Sequence, residues 1–558
     1  MTYRPPLRDM TAALKAAGFD RLGEAFPDAD AETAWAVLEA AGEFAAGVIA
    51  PLNRQGDLTG ARYANGRVTA APGFADAYRQ FAEGGWNSLS AEPEFGGQGL
   101  PRTLEIAVFE MIQAASLAFG LCPMLTQGAI EALAAHGTDS QKARFLPRLV
   151  SGEWTGTMNL TEPQAGSDLA ALTTRAEPDG EGGWRLTGQK IFITWGDHDV
   201  ADNIVHLVLA RLPGAPEGSR GISLFVCPKR LLGADGAAGA ANDVRPVGIE
   251  HKLGIHGSPT CVMAFEGARA ELVGAEHQGL AAMFTMMNAA RLQVGAQGVG
   301  IAERAYQQAL AFSLERRQGR SAWTGEANAP IHDHPDVRRM LMLMRAKILA
   351  ARAICLSTAV AADLSRHAAA EADRTAAKLR EELLTPIAKA WSTDLGVEAA
   401  SLGVQIHGGM GFIEETGAAQ HYRDARILPI YEGTNGIQAI DLVGRKLTLG
   451  DGAALASLLA EIREAAVDEP RLADGADALE QAAAWLAERR GTPDALAGAT
   501  AFLKLAGDVV GGWMLARMAH ADAAYARVWR FYAEQILATV PGQVAGVVQG
   551  AAVLEIEG

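Results

Sequence analysis

Cysteine is scarce in this chain. There are four among 558 residues, Cys122, Cys227, Cys261 and Cys355, far apart and without a CxxC spacing. That excludes a disulfide framework and a cysteine-ligated zinc site, and it leaves reduced, buried thiols of a cytoplasmic protein. Cations are short as well. Lys and Arg number 49 against 65 Asp and Glu, a formal net charge of −16, whereas a nucleic-acid partner selects a basic face. No apolar h-region follows Met1 to Asp9, so no secretory signal is expected. The uncharged run from Gln535 to Leu554 is broken by Pro541, Gly542, Gln543, Gly546, Gln549 and Gly550. It suits a buried or interface helix better than a membrane span. The chain has no His/Cys/carboxylate cluster with metal-ligand spacing and no Gly-x-Ser-x-Gly, so neither a metal nor acyl-serine chemistry is expected.

What is present is an ordinary globular composition, 49% hydrophobic and 20% charged, long enough for about three or four domains. Residues 1–155 read as a helical domain. Ala31 to Ile49 and Leu104 to Leu117 carry apolar residues at three- and four-residue spacing, with a turn cluster from Ala91 to Gly99 between them. Residues 156–278 change texture. Short runs rich in β-branched and aromatic residues alternate with Gly, Pro and Asp clusters, which predicts an antiparallel β-barrel or sandwich. The Gly- and Ala-rich segment 233–242 reads as a flexible excursion from it. Residues 279–448 are helical again, with amphipathic stretches at Met283 to Arg316, Asp336 to Leu364 and Leu379 to Leu402. Within them the Met340–Met344 pair reads as core packing. Beyond the Gly450 to Gly452 break, residues 449–558 form a further helical domain. The fold class is α+β multidomain: N-terminal helical domain, central β-domain, C-terminal helical bundle and an additional C-terminal helical domain.

Several stretches could carry chemistry. Glu432 follows the apolar run Ile427 to Ile430. An acid there can have a raised pKa and act as a base near neutrality, or it can simply cap an element. Asn159 to Asp168 falls at the helix-to-strand junction. Its small and hydroxyl residues suit an anion or a polar ring edge, and a plain linker fits as well. Lys190 to Gly196 is a strand ending in aromatics, for a planar cofactor or for the sheet core. Arg316 ends a helix, where it could clamp a pyrophosphate or complement the helix dipole. Gln405 to Phe412 follows a helix with glycines that allow close approach, and His407 within it reads as structural. Gly295 to Gly300 has the look of a dinucleotide loop. No strand precedes it, so close helix packing is the better account.

Together, in order and at these separations, the motifs resemble the acyl-CoA dehydrogenase family over about residues 35–448. They are Glu94 to Gly99, Thr161 to Asp168, Lys190 to Thr194, Glu315–Arg316, Gln405 to Gly409, Arg423 to Ala425 and Tyr431 to Thr434. The stretch Tyr431 to Leu447 and the extra C-terminal block are similar to a larger subgroup of that family. The resemblance implies FAD as cofactor and an acyl-CoA thioester as substrate, a fatty acyl-CoA or 3-methylthiopropanoyl-CoA. The thioester would be oxidised to the trans-2-enoyl-CoA. Glu432 would take the α-proton, and the β-hydrogen would leave as hydride to the flavin N5. By the same resemblance Leu160, Thr161, Gly166 and Ser167 hold the flavin, Ser167 also meeting the start of the acyl-CoA. Phe192, Ile193 and Thr194 contact the isoalloxazine. Arg316, Gln405, Gly408 and Gly409 reach an FAD in a neighbouring subunit, and Thr434 contacts FAD after the base. Asn288 and Arg291 would serve the CoA pantetheine or the base. A homo-oligomer, most simply a dimer, and an electron-transfer flavoprotein as acceptor follow.

Two departures from the family pattern and one comparison within it bear on this. Phe192 stands where the family usually has Trp, and Gln318-Gly319-Arg320 where it usually has Phe-Gly. Ala290 occupies the position from which some members supply the base, which favours Glu432. An oxidase that reduces O₂ is a second reading. A DNA-associated flavoprotein of the same superfamily is a third, but residues 451–558 carry eight Lys/Arg against fifteen Asp/Glu, net −7, which opposes DNA.

Overall fold

The structure is a computed structural model and describes residues 3–556. By internal contacts the chain forms two units. One comprises Glu43–Leu100 and Ala115–Ala290, the other Met1–Gly42, Pro101–Ala114 and Arg291–Gly558.

The first unit contains the strands: β1 (Arg62–Ala64), β2 (Arg67–Thr69), β3 (Trp154–Asn159), β4 (Arg175–Pro178), β5 (Trp184–Thr194), β6 (Asn203–Arg211), β7 (Ile222–Pro228), β8 (Arg230–Leu232), β9 (Ala238–Ala241), β10 (Val244–Ile249) and β11 (Thr260–Val273). The order β11–β5–β4–β6 continues through β7 back to β11, so five strands close into a barrel, with β10 and β3 added outside the ring. Its interior is Leu186, Ile193, Val208, Phe225, Met263 and Phe265, all nearly inaccessible. Closure removes the exposed edges that an open sheet presents.

The sheet departs from the antiparallel expectation at β6, which has two parallel neighbours; β4 meets it at Arg175↔Arg211. β3 runs parallel to β6 from Trp154↔Asn203 to Asn159↔Val208. Parallel neighbours need a long crossover, and the segment between them, which includes β4 and β5, supplies it. Segment 233–242 is also not a plain excursion, since it contains β9, which turns back to pair with β8 just before it as a hairpin. β1 and β2 form a hairpin inside the stretch read as helical. Its turn is Asn65-Gly66 with φ of +53° and +75°, the two-residue turn that Asn-Gly favours.

The second unit is helical. Eight helices matter here: α1 (Leu7–Ala17), α2 (Arg102–Ala115), α3 (Gly279–Glu315), α4 (Pro335–His367), α5 (Glu371–His407), α6 (Asn435–Asp441), α7 (Pro493–Ala521) and α8 (Ala526–Gln535). α3 belongs to this unit from Arg291 onward. The glycines of α3 let neighbouring backbones touch. A Cβ at Gly295 would lie 2.7 Å from the Ala388 carbonyl oxygen on α5, one at Gly300 would lie 2.9 Å from that of Glu110 on α2, and Gly298 is tighter still against Ser392. The glycine run is therefore a packing device and not a phosphate loop. Met340 and Met344 are buried.

Beside Gly300 lies a buried ion triad. Arg352 on α4 donates to Glu110 at 2.7 Å and to Glu303 at 2.8 Å. Elsewhere on α5, Trp391 donates to Asp508 of α7 at 3.0 Å, and Gly507 leaves room for the indole ring. The chain ends meet as well. Asp9 of α1 accepts two bonds from Arg345 of α4, at 2.9 and 3.0 Å, and one from the Tyr525 hydroxyl at 2.9 Å.

All four cysteines are free and buried. Among the described residues, three helices are long and apolar enough to cross a membrane, and their apolar windows are mostly buried inside the protein.

Candidate active site

In the helical unit the segment 427–435 makes a tight reversal between Ala425, which ends a short helix, and α6. Ile430 and Tyr431 both donate to the Ile427 carbonyl, and Asn435 donates to that of Pro429. Glu432 and Gly433 then take left-handed backbones, φ +56° and +84°. For glutamate this costs about 1–3 kcal/mol, and such strain concentrates where geometry is imposed for function. The segment is held from several sides. Lys389 of α5 is fully buried and donates to the Leu428 carbonyl at 3.0 Å, the Gly433 carbonyl at 2.9 Å and Asn435 Oδ1 at 2.9 Å. Arg291 Nε and Gln438 Nε2 each lie 3.4 Å from the Glu432 carbonyl oxygen. The Tyr431 hydroxyl bonds Gln297.

Glu432 is half-buried by accessibility, yet packed protein around its carboxyl displaces water. That desolvation raises it to about 7, against the opposing pull of Arg291 and Lys389. Burial also pushes Lys389 down to about 7 and lowers Arg291. A strained, desolvated carboxylate poised near neutrality, with its backbone pinned on both sides, can accept a proton from a weak carbon acid.

The structure therefore brings Arg291 to Glu432. Thr434 is the N-cap of α6 and accepts from the Ile437 amide at 3.3 Å. Arg316 is exposed at the end of α3 and bonds Gln318 at 3.0 Å. Gln405, Gly408 and Gly409 are exposed where α5 ends, and a Cβ on either glycine would meet nothing within 4 Å. His407 is buried, bonds the Gly403 carbonyl at 2.7 Å and stacks on Phe312 at 4.4 Å, which makes it structural.

In the barrel unit β3 ends at Asn159 and leads into Leu160 and Thr161. Glu162 and Ala165 then exchange backbone hydrogen bonds in a tight turn, which leaves Gly166 and Ser167 exposed. The turn is anchored from below by a buried ion pair, Glu162 with Lys190 of β5 at 2.9 Å. Glu162 also accepts from the backbone and hydroxyl groups of Thr173 and Thr174, at 2.6 to 3.0 Å. Lys190 donates to the Leu160 carbonyl at 2.9 Å.

Two residues beyond Lys190 the register of β5 against β11 slips. At this bulge Phe192 adopts φ +59° and is 59% exposed. Bulges of this kind re-aim a side chain. Ile193 points into the barrel core, which leaves only its backbone for a ligand, and Thr194 is half-buried. Asn288, on α3, is exposed.

Burial alone would raise Glu162, but Lys190 and the threonine hydrogen bonds outweigh it and hold the carboxyl down at about 2. Burial pushes Lys190 down to about 8. Glu162→Gln should therefore cost about 2–3 kcal/mol near neutral pH, the usual worth of charge-assisted hydrogen bonds. Because the folded value lies below the unfolded one, this stabilisation is complete above about pH 4.3. It fades as pH falls toward 2, so the gap between native and variant in denaturant unfolding should close on acidification.

The sequence reading gave no role to Lys389, Asn435 or Gln438, or to the Glu162–Lys190 pair. The available signal was a lysine inside the apolar stretch Pro386 to Trp391, where a cation needs buried partners.

The closed barrel with helical neighbours, the exposed ring at a bulge and the strained glutamate define a class of protein. The chain belongs to the acyl-CoA dehydrogenase family. Residues 31–153, 157–268 and 277–447 match its N-terminal, middle and C-terminal domains, and residues 458–556 match a domain described as acetyl-CoA dehydrogenase C-terminal like. It is 49% identical over 535 residues to 3-methylmercaptopropionyl-CoA dehydrogenase of Ruegeria pomeroyi, covering 92% of this chain and 90% of that one. It is 33% identical to the broad-specificity linear acyl-CoA dehydrogenase FadE5 of Mycobacterium tuberculosis, over 93% and 90% of the two chains. The fold is shared with an acyl-CoA dehydrogenase from Bacillus anthracis complexed with FAD, at 21% identity and a TM-score of 0.77 over 95% and 90% of the chains.

Proposed function

We propose that the chain oxidises a short acyl-CoA thioester to its trans-2-enoyl-CoA, with FAD as cofactor and Glu432 as the base. The observation that carries this reading is Glu432 itself, strained at φ +56° and raised to about 7 by desolvation. The residues fit a flavin. Phe192 is turned out at the bulge, and Gly166, Gly408 and Gly409 have open space where a Cβ would be, so a flat ring and a pyrophosphate can approach closely. Leu160, Thr161, Gly166, Ser167, Phe192, Ile193, Thr194 and Thr434 would hold one FAD. Arg316, Gln405, Gly408 and Gly409 would reach that of a second copy. Bound FAD supplies the acceptor for the β-hydrogen, which leaves as hydride. Glu432 takes the α-proton, and the two C–H electron pairs become one C=C bond and the hydride. The Glu432 backbone N–H donates to the thioester oxygen, where negative charge develops. Ser167, Asn288 and Arg291 orient the CoA portion.

In this scheme residues 156–278 hold the flavin and 279–448 supply the base, and 1–155 and 449–558 are two further helical domains. A homodimer is favoured by the apolar surface at Met410, Phe412 and Ile413 beside the glycine pair, with Phe412 87% exposed. Electrons would pass to an electron-transfer flavoprotein, in the cytoplasm, where four reduced thiols are stable. The net charge of −16 disfavours nucleic acid, and the burial of the apolar helices disfavours membrane insertion.

The 49% identical relative directs the substrate toward 3-methylthiopropanoyl-CoA. An acyl-CoA panel of graded length that includes this thioester, with an artificial dye as acceptor, tests it. We expect the highest kcat/KM among short chains. No turnover on any acyl-CoA by FAD-loaded protein would refute the function. Rapid reoxidation by air with product bound would favour the oxidase.

A further inference from the structure

We propose that Lys389 is the positioning residue of the base, holding the Glu432 segment in its left-handed conformation by hydrogen bonds placed on both sides of it. An ammonium has three N–H donors and no acceptor, and here all three are engaged. One meets the Leu428 carbonyl, four residues before Glu432. The others meet the Gly433 carbonyl and Asn435 Oδ1, one and three residues after it. Asn435 is itself tied to α5, since it donates to the Ala390 carbonyl at 3.1 Å and to Asp394 at 2.8 Å. Lys389 is fully inaccessible, yet its direct partners are neutral. A lysine buried on neutral acceptors is expensive, so a purely structural brace would be better made by an amide. The cation is explained if its charge serves something within reach, and of the two carboxylates that act on it, Glu432 and Asp394, Glu432 acts more strongly.

The groups that face these two are few. Lys389 is opposed by Glu432 and by Asp394 of its own helix, with Arg291 of α3 competing. Glu432 is faced by Arg291 and Lys389, and its charge also acts on the Tyr431 phenol beside it, which it helps to raise. Arg291 is in turn faced by Asp441 of α6 and by Arg445. Lys389 thus favours the ionised carboxylate against the desolvation that opposes it. Without the cation Glu432 keeps its proton to higher pH, and the pH at which turnover begins moves upward.

The inference rests on Glu432 being the base. It is tested with the FAD-loaded variants Lys389→Gln and Lys389→Met beside Glu432→Gln. Glutamine keeps a donor and loses the charge, whereas methionine loses both. We expect kcat to fall at least about ten-fold in Lys389→Gln and further in Lys389→Met, with KM changed less than kcat. In both variants the acidic limb should shift to higher pH. An infrared band of the protonated Glu432 carboxyl, assigned by its loss in Glu432→Gln, should titrate at higher pH in Lys389→Gln, a readout independent of turnover. If Lys389→Met does not fold, Lys389→Gln decides. A folded Lys389→Gln with native kcat, acidic limb and infrared titration overturns the inference even where Glu432→Gln is inactive. An active Glu432→Gln would overturn the base assignment instead.

Discussion

Glu432→Gln is expected to retain FAD and to lower kcat by about 10²–10⁴-fold, the usual worth of a positioned general base. The exchange keeps size and shape, and the backbone strain at φ +56° is held by partners outside the side chain. Only proton acceptance is removed. In the native protein desolvation places the carboxyl at about 7. Turnover should therefore fall as pH drops below that value, and any residual activity of the variant should lack this limb. Stability should move the other way. A carboxyl raised above its unfolded value costs the folded state free energy as pH rises, so the variant should be at least as stable as the native chain in neutral and alkaline buffer. Dye-coupled kcat across pH, flavin absorbance and denaturant unfolding measure the three together. Turnover within about ten-fold of native would place the base elsewhere. Ala290 cannot supply it.

Arg352→Met is expected to cost about 3–5 kcal/mol of stability, because it strands two carboxylates in the helical interior. Arg352 is inaccessible and bonds both Glu110 and Glu303. Burial already raises Glu110 despite the guanidinium beside it, and without Arg352 it rises further. The deficit should then be smallest in mildly acidic buffer, where a proton can neutralise the stranded acid, and should grow toward alkaline pH. Denaturant midpoints of native and variant at several pH values check both the size and the slope. A deficit independent of pH would mean that lost packing, not stranded charge, sets the cost.

The fold was largely legible because its signals are periodic. Helical spacing marked α3, α4 and α5, and β-branched runs marked the barrel strands. The parallel pairing of β3 with β6 was not, because strand direction depends on which partner is met in space. The β1–β2 hairpin had a readable sign in Asn65-Gly66, which the helical character of its surroundings obscured. Among the candidate residues, Glu432 and the exposed Phe192 lie in motifs, so they could be found. For Lys389 the apolar stretch around it signals buried partners but not which ones, because two of its three acceptors are backbone carbonyls, identical at every position of a sequence. The strain at Glu432 was equally hidden, since φ is not a property of residue type.

The contacts of Asp9 set the order in which the chain can be completed. Its hydroxyl partner, Tyr525, is 516 residues away. At translation rates of about 5–20 residues per second, α1 leaves the ribosome roughly 25–100 s before α8 exists. During that interval the faces of Met10, Ala13 and Leu14, buried in the finished protein, lack part of their cover. The barrel unit draws on residues 43–100 and 115–290 and can fold while synthesis continues. The helical unit must wait for its last helices, so a ribosome that stalls past residue 450 should release a chain with a formed barrel and an exposed, chaperone-dependent first helix.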